Sequence, residues 1–127
     1  MNGTKIIFDT CAAILLLDGK YELSSLGIVM NDSFPYISII TRMELMAKRN
    51  MRQDEEQAIR NFIDDVTVSP LSDEIESKTV EIRRTTKIKL PDCIIAATAI
   101  VLEAVLLTSD PHLLNLSVQG YNVKAVI

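Results

Sequence analysis

Apolar residues along this chain fall into short unbroken runs and into longer stretches spaced for one face of a helix. Runs bounded by turn residues read as buried strands, and repeats at i, i+3 and i+4 read as helices. Lys5 to Phe8 predicts a buried strand, and Phe34 to Ile40, Val66 to Val68, Val105 to Leu107 and Tyr121 to Ile127 predict further ones. Thr10 to Leu17 predicts a short helix directly after Asp9, stopped by the turn signal Asp18-Gly19. Tyr21 to Met30 has mixed helical spacing. Thr41 stands where a hydroxyl caps a helix running through Met43, Glu44 and Leu45 to about Arg49. Between Asp54 and Asp65, Ala58, Ile59, Phe62 and Ile63 make an apolar stripe, and Ser72 opens a helix with Ile75, Thr79 and Ile82 on one side. Pro91-Asp92 opens the run CIIAATAIVL, apolar nearly all round, which belongs in the middle of a fold. Pro111 starts a last helical turn.

Strands separated by helices predict an α/β fold, a three-layer domain whose central, mostly parallel sheet is flanked by helices. The 127 residues suit one such domain spanning 1–127. Hydrophobic residues make up 48% and mean hydropathy is +0.22, which points to an apolar surface covered by another chain or to a dense core. No segment reaches the roughly 18 consecutive apolar residues of a membrane span. Asp9 interrupts the apolar residues after Lys5 and no small-residue cleavage site follows, so a cytoplasmic protein is expected. Cys11 and Cys93 read as reduced core thiols, and one histidine, His112, leaves no zinc constellation. A net charge of −4 argues against a globally basic nucleic-acid binder.

Charge placement changes the picture more than charge total. Asp9 ends KIIFD, Glu44 follows PYISIITRM, Asp92 opens an apolar run, and Asp110 closes AVLLTSD. A carboxylate at the edge of a core costs desolvation energy unless something positive meets it. Asp9 and Asp110 fall at strand carboxyl ends, where ligands gather in parallel sheets. Glu44 and Asp92 are expected in first helical turns, where the macrodipole favours negative charge. Four such acids facing one cleft would raise one another's pKa, and a divalent cation removes the conflict. Oxygen-only ligands suit Mg²⁺ or Mn²⁺, with Thr10 and Thr108 placed to orient a carboxylate or a water. Each acid also has an ordinary reading: helix cap for Asp9, first-turn residue for Glu44 and Asp92, turn residue for Asp110.

The segments IIFDT, SIITRMEL, LPDCIIAATA and LLTSD resemble, in order, the four motifs of PIN-domain ribonucleases. Length and closing strand look like the VapC-type toxins of type II toxin–antitoxin systems. The resemblance covers nearly the whole chain. It implies metal-dependent cleavage of RNA by an endoribonuclease, with Asp9, Glu44, Asp92 and Asp110 as catalytic metal-site acids. It also implies a small antitoxin whose tail occupies the cleft, and a homodimer. The chain departs from the pattern at Cys11, where Asn or Ser is usual, and at Leu113-Leu114, where relatives carry His-Phe or Asp-Phe. Arg83, Arg84, Lys87 and Lys89 end just before Pro91-Asp92 and are candidates to hold RNA phosphates, or simply a charged helix terminus.

Two other functions compete. A receiver-type phosphoacceptor domain is also α/β with acids and Mg²⁺ at strand ends, but it needs an acidic pair after its first strand, and here Asp9 stands alone. A PIN-like module that binds without catalysis would have no reason to keep four mutually repelling acids.

Overall fold

Residues 3–127 are described by the computed structural model of the chain. Strands β1 (Thr4–Phe8), β2 (Ser33–Ser38), β3 (Thr67–Ser69), β4 (Val105–Thr108) and β5 (Asn122–Ala125) form one sheet in the order β3-β2-β1-β4-β5. Every pairing is parallel, with Ile7 opposite Tyr36 on one side and Leu106 on the other. Helices α1 (Thr10–Leu17), α2 (Ile39–Met46), α3 (Gln53–Asp65), α4 (Asp73–Thr85), α5 (Leu90–Leu102) and α6 (Pro111–Leu114) make the crossovers.

Side chains alternate across the sheet with period two, and that alternation builds two cores. Ile6, Phe8 and Leu107 face α1, α2 and α3, meeting Ala12, Ala13, Leu45 and Ile59. Ile7 and Leu106 face the other way, toward Ile75 and Ile82 of α4, Cys93 to Ala99 of α5, and Leu113 of α6. Phe8 and Phe62 meet edge to face, with centroids 5.6 Å apart. Each fully buried Ile, Leu or Phe contributes about 1.5–3 kcal/mol relative to exposure, so the three-layer arrangement follows from these faces. Among the described residues no helix is long and apolar enough to cross a membrane.

Several expectations are corrected. The segment Tyr21 to Met30 is not an α-helix; it carries short 3-10 turns at Leu23–Leu26 and Met30–Asp32. β2 ends at Ser38, whose hydroxyl accepts from Ile40 N at 3.0 Å, so Ser38 rather than Thr41 caps α2. Glu44 therefore lies in the second turn of its helix, beyond the reach of the amino-terminal dipole. Cys93 is buried as expected, but Cys11 is exposed and both thiols are free. Ala58, assigned to the apolar stripe of α3, is exposed and lines a groove against α1 and α2, while Ile59 is the buried member of that stripe.

Candidate metal centre

The sheet order reverses direction between β1 and β4: the chain leaves β1 toward β2 and returns later on the opposite side. A crevice opens at the carboxyl ends of such a pair because the crossovers diverge to opposite faces. Asp9 follows β1 directly, and Asp110 follows β4 by one intervening residue. Asp92 sits in the first turn of α5, and Glu44 reaches in from α2.

Asp9 is 4% exposed. It caps α1 through Ala12 N, which donates to Oδ1 at 2.7 Å, and its Oδ2 accepts from the buried Thr108 hydroxyl. Thr108 Oγ1 in turn accepts from Asp110 N at 3.0 Å, and Asp110 caps α6 through His112 N at 2.9 Å. Asp9 is thus the helix cap of its ordinary reading, while Asp110, read as a turn residue, caps α6, and each still leaves carboxylate lone pairs for the crevice. On the opposite wall, Thr10 Oγ1 lies 2.5 Å from Glu44 Oε1 and 3.2 Å from Thr41 Oγ1. Cys11 Sγ and Ser109 Oγ meet at 3.2 Å across the mouth.

Electrostatics tie the acids together. Burial pushes the Asp9 carboxyl above its ordinary value; Asp92 and Asp110 push it further, against hydrogen bonds from Thr108 and Ala12. Burial also raises Asp92, helped by the charges of Asp110 and Glu44, while Lys89 and His112 oppose. Among the described residues the ion pairs engage Lys48, Arg52, Arg60 and Lys78, and none involves these four acids. Gathered negative charge without an ion-pair partner, offered by oxygen donors only, fits a hard divalent cation. Among the described residues, however, no three His, Cys, Asp or Glu side chains form a ready-made ligand group.

The Thr10 hydroxyl, next to Asp9 in sequence, meets Glu44, and the Thr108 hydroxyl, two residues before Asp110, meets Asp9. Thr41 was not anticipated in this neighbourhood, although it lies three residues before Glu44 on one helix face, the i, i+3 relation that brings side chains together. The basic residues divide: Arg83 and Arg84 lie exposed in the last turn of α4, Lys87 lies in the connection to α5, and Lys89 immediately precedes α5. Lys89 alone acts on one of the acids. A groove of about 550 Å³ between α1, α2 and α3 has Glu44 in its lining, with Ile14, Leu17, Leu45, Lys48 and Ile59.

Comparison with solved structures places this architecture. One match is to VapBC2 from Rickettsia felis, solved bound to a DNA fragment from their promoter, with TM-score 0.78, 14% identity, and 96% of this chain and 98% of that chain covered. VapBC-1 from nontypeable Haemophilus influenzae matches with TM-score 0.76 and 20% identity over 96% and 98%. A toxin–antitoxin complex from Klebsiella pneumoniae matches with TM-score 0.68 and 27% identity over 92% and 98%. Among curated proteins none matches in sequence. The expected likeness to VapC-type PIN proteins agrees with these neighbours. The PIN domain model itself matches residues 6–118, a stretch containing all four acids and both threonines beside them, and the chain belongs to the PIN domain family.

Proposed function

We propose that this chain is a divalent-metal-dependent endoribonuclease of the cytoplasm, acting as one domain over residues 1–127 and as the toxin of a toxin–antitoxin pair. The observation that carries this reading is the gathering of Asp9, Asp92, Asp110 and Glu44 at the β1/β4 crevice, with charges felt by one another and no ion-pair partner among the described residues. These acids would hold Mg²⁺ or Mn²⁺. Mg²⁺ keeps several waters and uses few carboxylates, so it does not require a complete protein cage. The chemistry such a cation supplies is acidification of an attacking water and neutralisation of charge at a phosphodiester.

The chain's own residues do the rest. Thr108 and the α1 amino terminus fix both oxygens of Asp9, so the carboxylate cannot swing away from the crevice. Thr10 does the same for one oxygen of Glu44. Lys89, with Arg83, Arg84 and Lys87 behind it, supplies positive charge for an RNA backbone approaching beside Asp92. The apolar groove leading to Glu44 suits a segment of a small antitoxin, and the neighbouring VapBC complexes support a protein partner of that kind. A homodimer would cover exposed apolar side chains such as Met43, Leu71 and Leu90.

Purified protein is expected to cleave RNA with Mg²⁺ or Mn²⁺ and to stop with EDTA. Loss of an outer hydrogen-bond partner at a metal site costs 10–100-fold, so Asp9→Asn or Asp92→Asn should cost about 100-fold or more. Equal cleavage by parent and variants would reject the site. A second reading, a PIN module that binds without catalysis, is favoured by the lack of a ready-made three-ligand group among the described residues. Calorimetric titration with Mn²⁺ decides between them, since the silent module would show no binding.

The receiver-type alternative has no such support. Receiver-like domains follow the sheet order 2-1-3-4-5, whereas this sheet runs β3-β2-β1-β4-β5.

A further inference from the structure

Thr41 is fully buried, and its side chain has one recorded partner, the Thr10 hydroxyl at 3.2 Å. No buried side-chain nitrogen or oxygen among the described residues lacks a hydrogen bond, so this contact is what satisfies Thr41. Thr10 also lies 2.5 Å from Glu44 Oε1. A hydroxyl carries one proton and an ionised carboxylate carries none. Thr10 therefore has one proton for two oxygens of α2, Glu44 Oε1 at 2.5 Å and Thr41 Oγ1 at 3.2 Å. A carboxylate that takes this proton leaves the Thr41 hydroxyl to supply the proton of the longer contact.

The relay joins two helices. Thr10 is the first residue of α1, next to Asp9, while Thr41 and Glu44 lie one turn apart on α2. Glu44 is an exposed residue with several rotatable bonds, and the Thr10 hydroxyl is its only recorded side-chain tether. A threonine hydroxyl left to itself would donate to a backbone carbonyl of its own helix, as Thr79 does to Ile75 O and Thr98 to Ile94 O. Thr10, in the first turn, is instead free to aim at Glu44, with the buried Thr41 hydroxyl against its other side.

We propose that Thr41 is a positioning residue for the cation site: it fixes the Thr10 hydroxyl, which fixes the Glu44 carboxylate at the crevice. This rests on the metal-dependent reading above and assigns the second wall of that site. Thr41→Val keeps the shape of the side chain and removes the hydroxyl, whereas Thr41→Ser keeps the hydroxyl.

The test is Mn²⁺ binding by calorimetry to the purified full chain, together with the Mn²⁺ concentration giving half-maximal RNA cleavage. Thr41→Val is expected to weaken Mn²⁺ binding roughly tenfold, the lower end for loss of an outer hydrogen-bond partner. The half-maximal concentration should shift by a similar factor, with a smaller change in rate at saturating Mn²⁺. Thr41→Ser should bind within about twofold of the parent on the same scale. Circular dichroism and the unfolding midpoint of each variant report on the fold, and the serine variant separates loss of the hydroxyl from loss of packing. Parent-like Mn²⁺ binding by Thr41→Val, or failure of Thr41→Ser to restore it, overturns the assignment. If the parent itself takes up no Mn²⁺, the metal reading falls and the role of Thr41 falls with it.

Discussion

At Asp9, burial and the neighbouring acids favour the protonated carboxyl, while the Ala12 amide and the Thr108 hydroxyl favour the ionised one. Burial prevails, and the folded pKa lies above the ordinary 3.8. Between 3.8 and that raised value the native state binds more protons than the unfolded chain, so stability falls as pH rises through this window. Above the window the full penalty is present; below it the penalty disappears. Asp9→Asn removes it while still accepting from Ala12, so in EDTA this variant should unfold at a higher temperature than the parent near neutral pH. The gap should close as the pH is lowered toward 3.8, which a series of thermal melts would display. A gap that widens on acidification would contradict the direction given for Asp9. Asp9 was legible from its place after KIIFD, both as a helix cap and as a crevice acid. Thr41 was not, because a threonine near a strand–helix junction reads first as a cap. Only coordinates reveal that Ser38 has taken that role and left Thr41 to face α1.

Among the elements, α5 shows how strongly a sequence signal depends on its setting. Its apolar character all round marked it as buried, and Cys93 and Ile95 to Ala99 are. The segment Tyr21 to Met30 has six apolar residues against ten in α5 and none of them is fully buried, so no face is rewarded for staying helical and the chain takes 3-10 turns. Helix starts were displaced where two hydroxyl residues competed for one cap, as at Ser38 and Thr41. At its other end α5 closes on Glu103 in the left-handed conformation, φ 57°, with Ala104 N donating to Ala99 O at 2.9 Å. A side chain there costs roughly 1–2 kcal/mol that glycine avoids, against about 0.4–1 kcal/mol for glycine's greater freedom when unfolded. Glu103→Gly should therefore stabilise the protein by about 0.5–1 kcal/mol in urea titrations without altering RNA cleavage. A loss of stability would show that the Glu103 side chain contributes something its exposure conceals.

For the molecule as a whole, the α/β class and the mostly parallel sheet were readable from alternating strand and helix signals, and the sheet proves wholly parallel. The strand order was not readable, because periodicity reports which face of a strand is buried and not which neighbour it has. That order is what turns four scattered acids into neighbours, so their convergence required the fold. Binding of an ion to the native state alone adds stability, about 2.7 kcal/mol at 100 times the dissociation constant. The parent's melting temperature should therefore climb with Mn²⁺, and Asp92→Asn should flatten that response. An equal climb in both would place the ion elsewhere.

Asp9 and Thr108, bonded across the crevice, are separated by 99 positions in the chain. Until β4 lies alongside β1, a polypeptide emerging from the ribosome has Asp9, Glu44 and Asp92 but lacks one bank of the channel they would share. If the protein cuts RNA, this topology supplies a built-in delay: a partly made copy is unarmed, and the message being translated is spared until nearly every strand has taken its place.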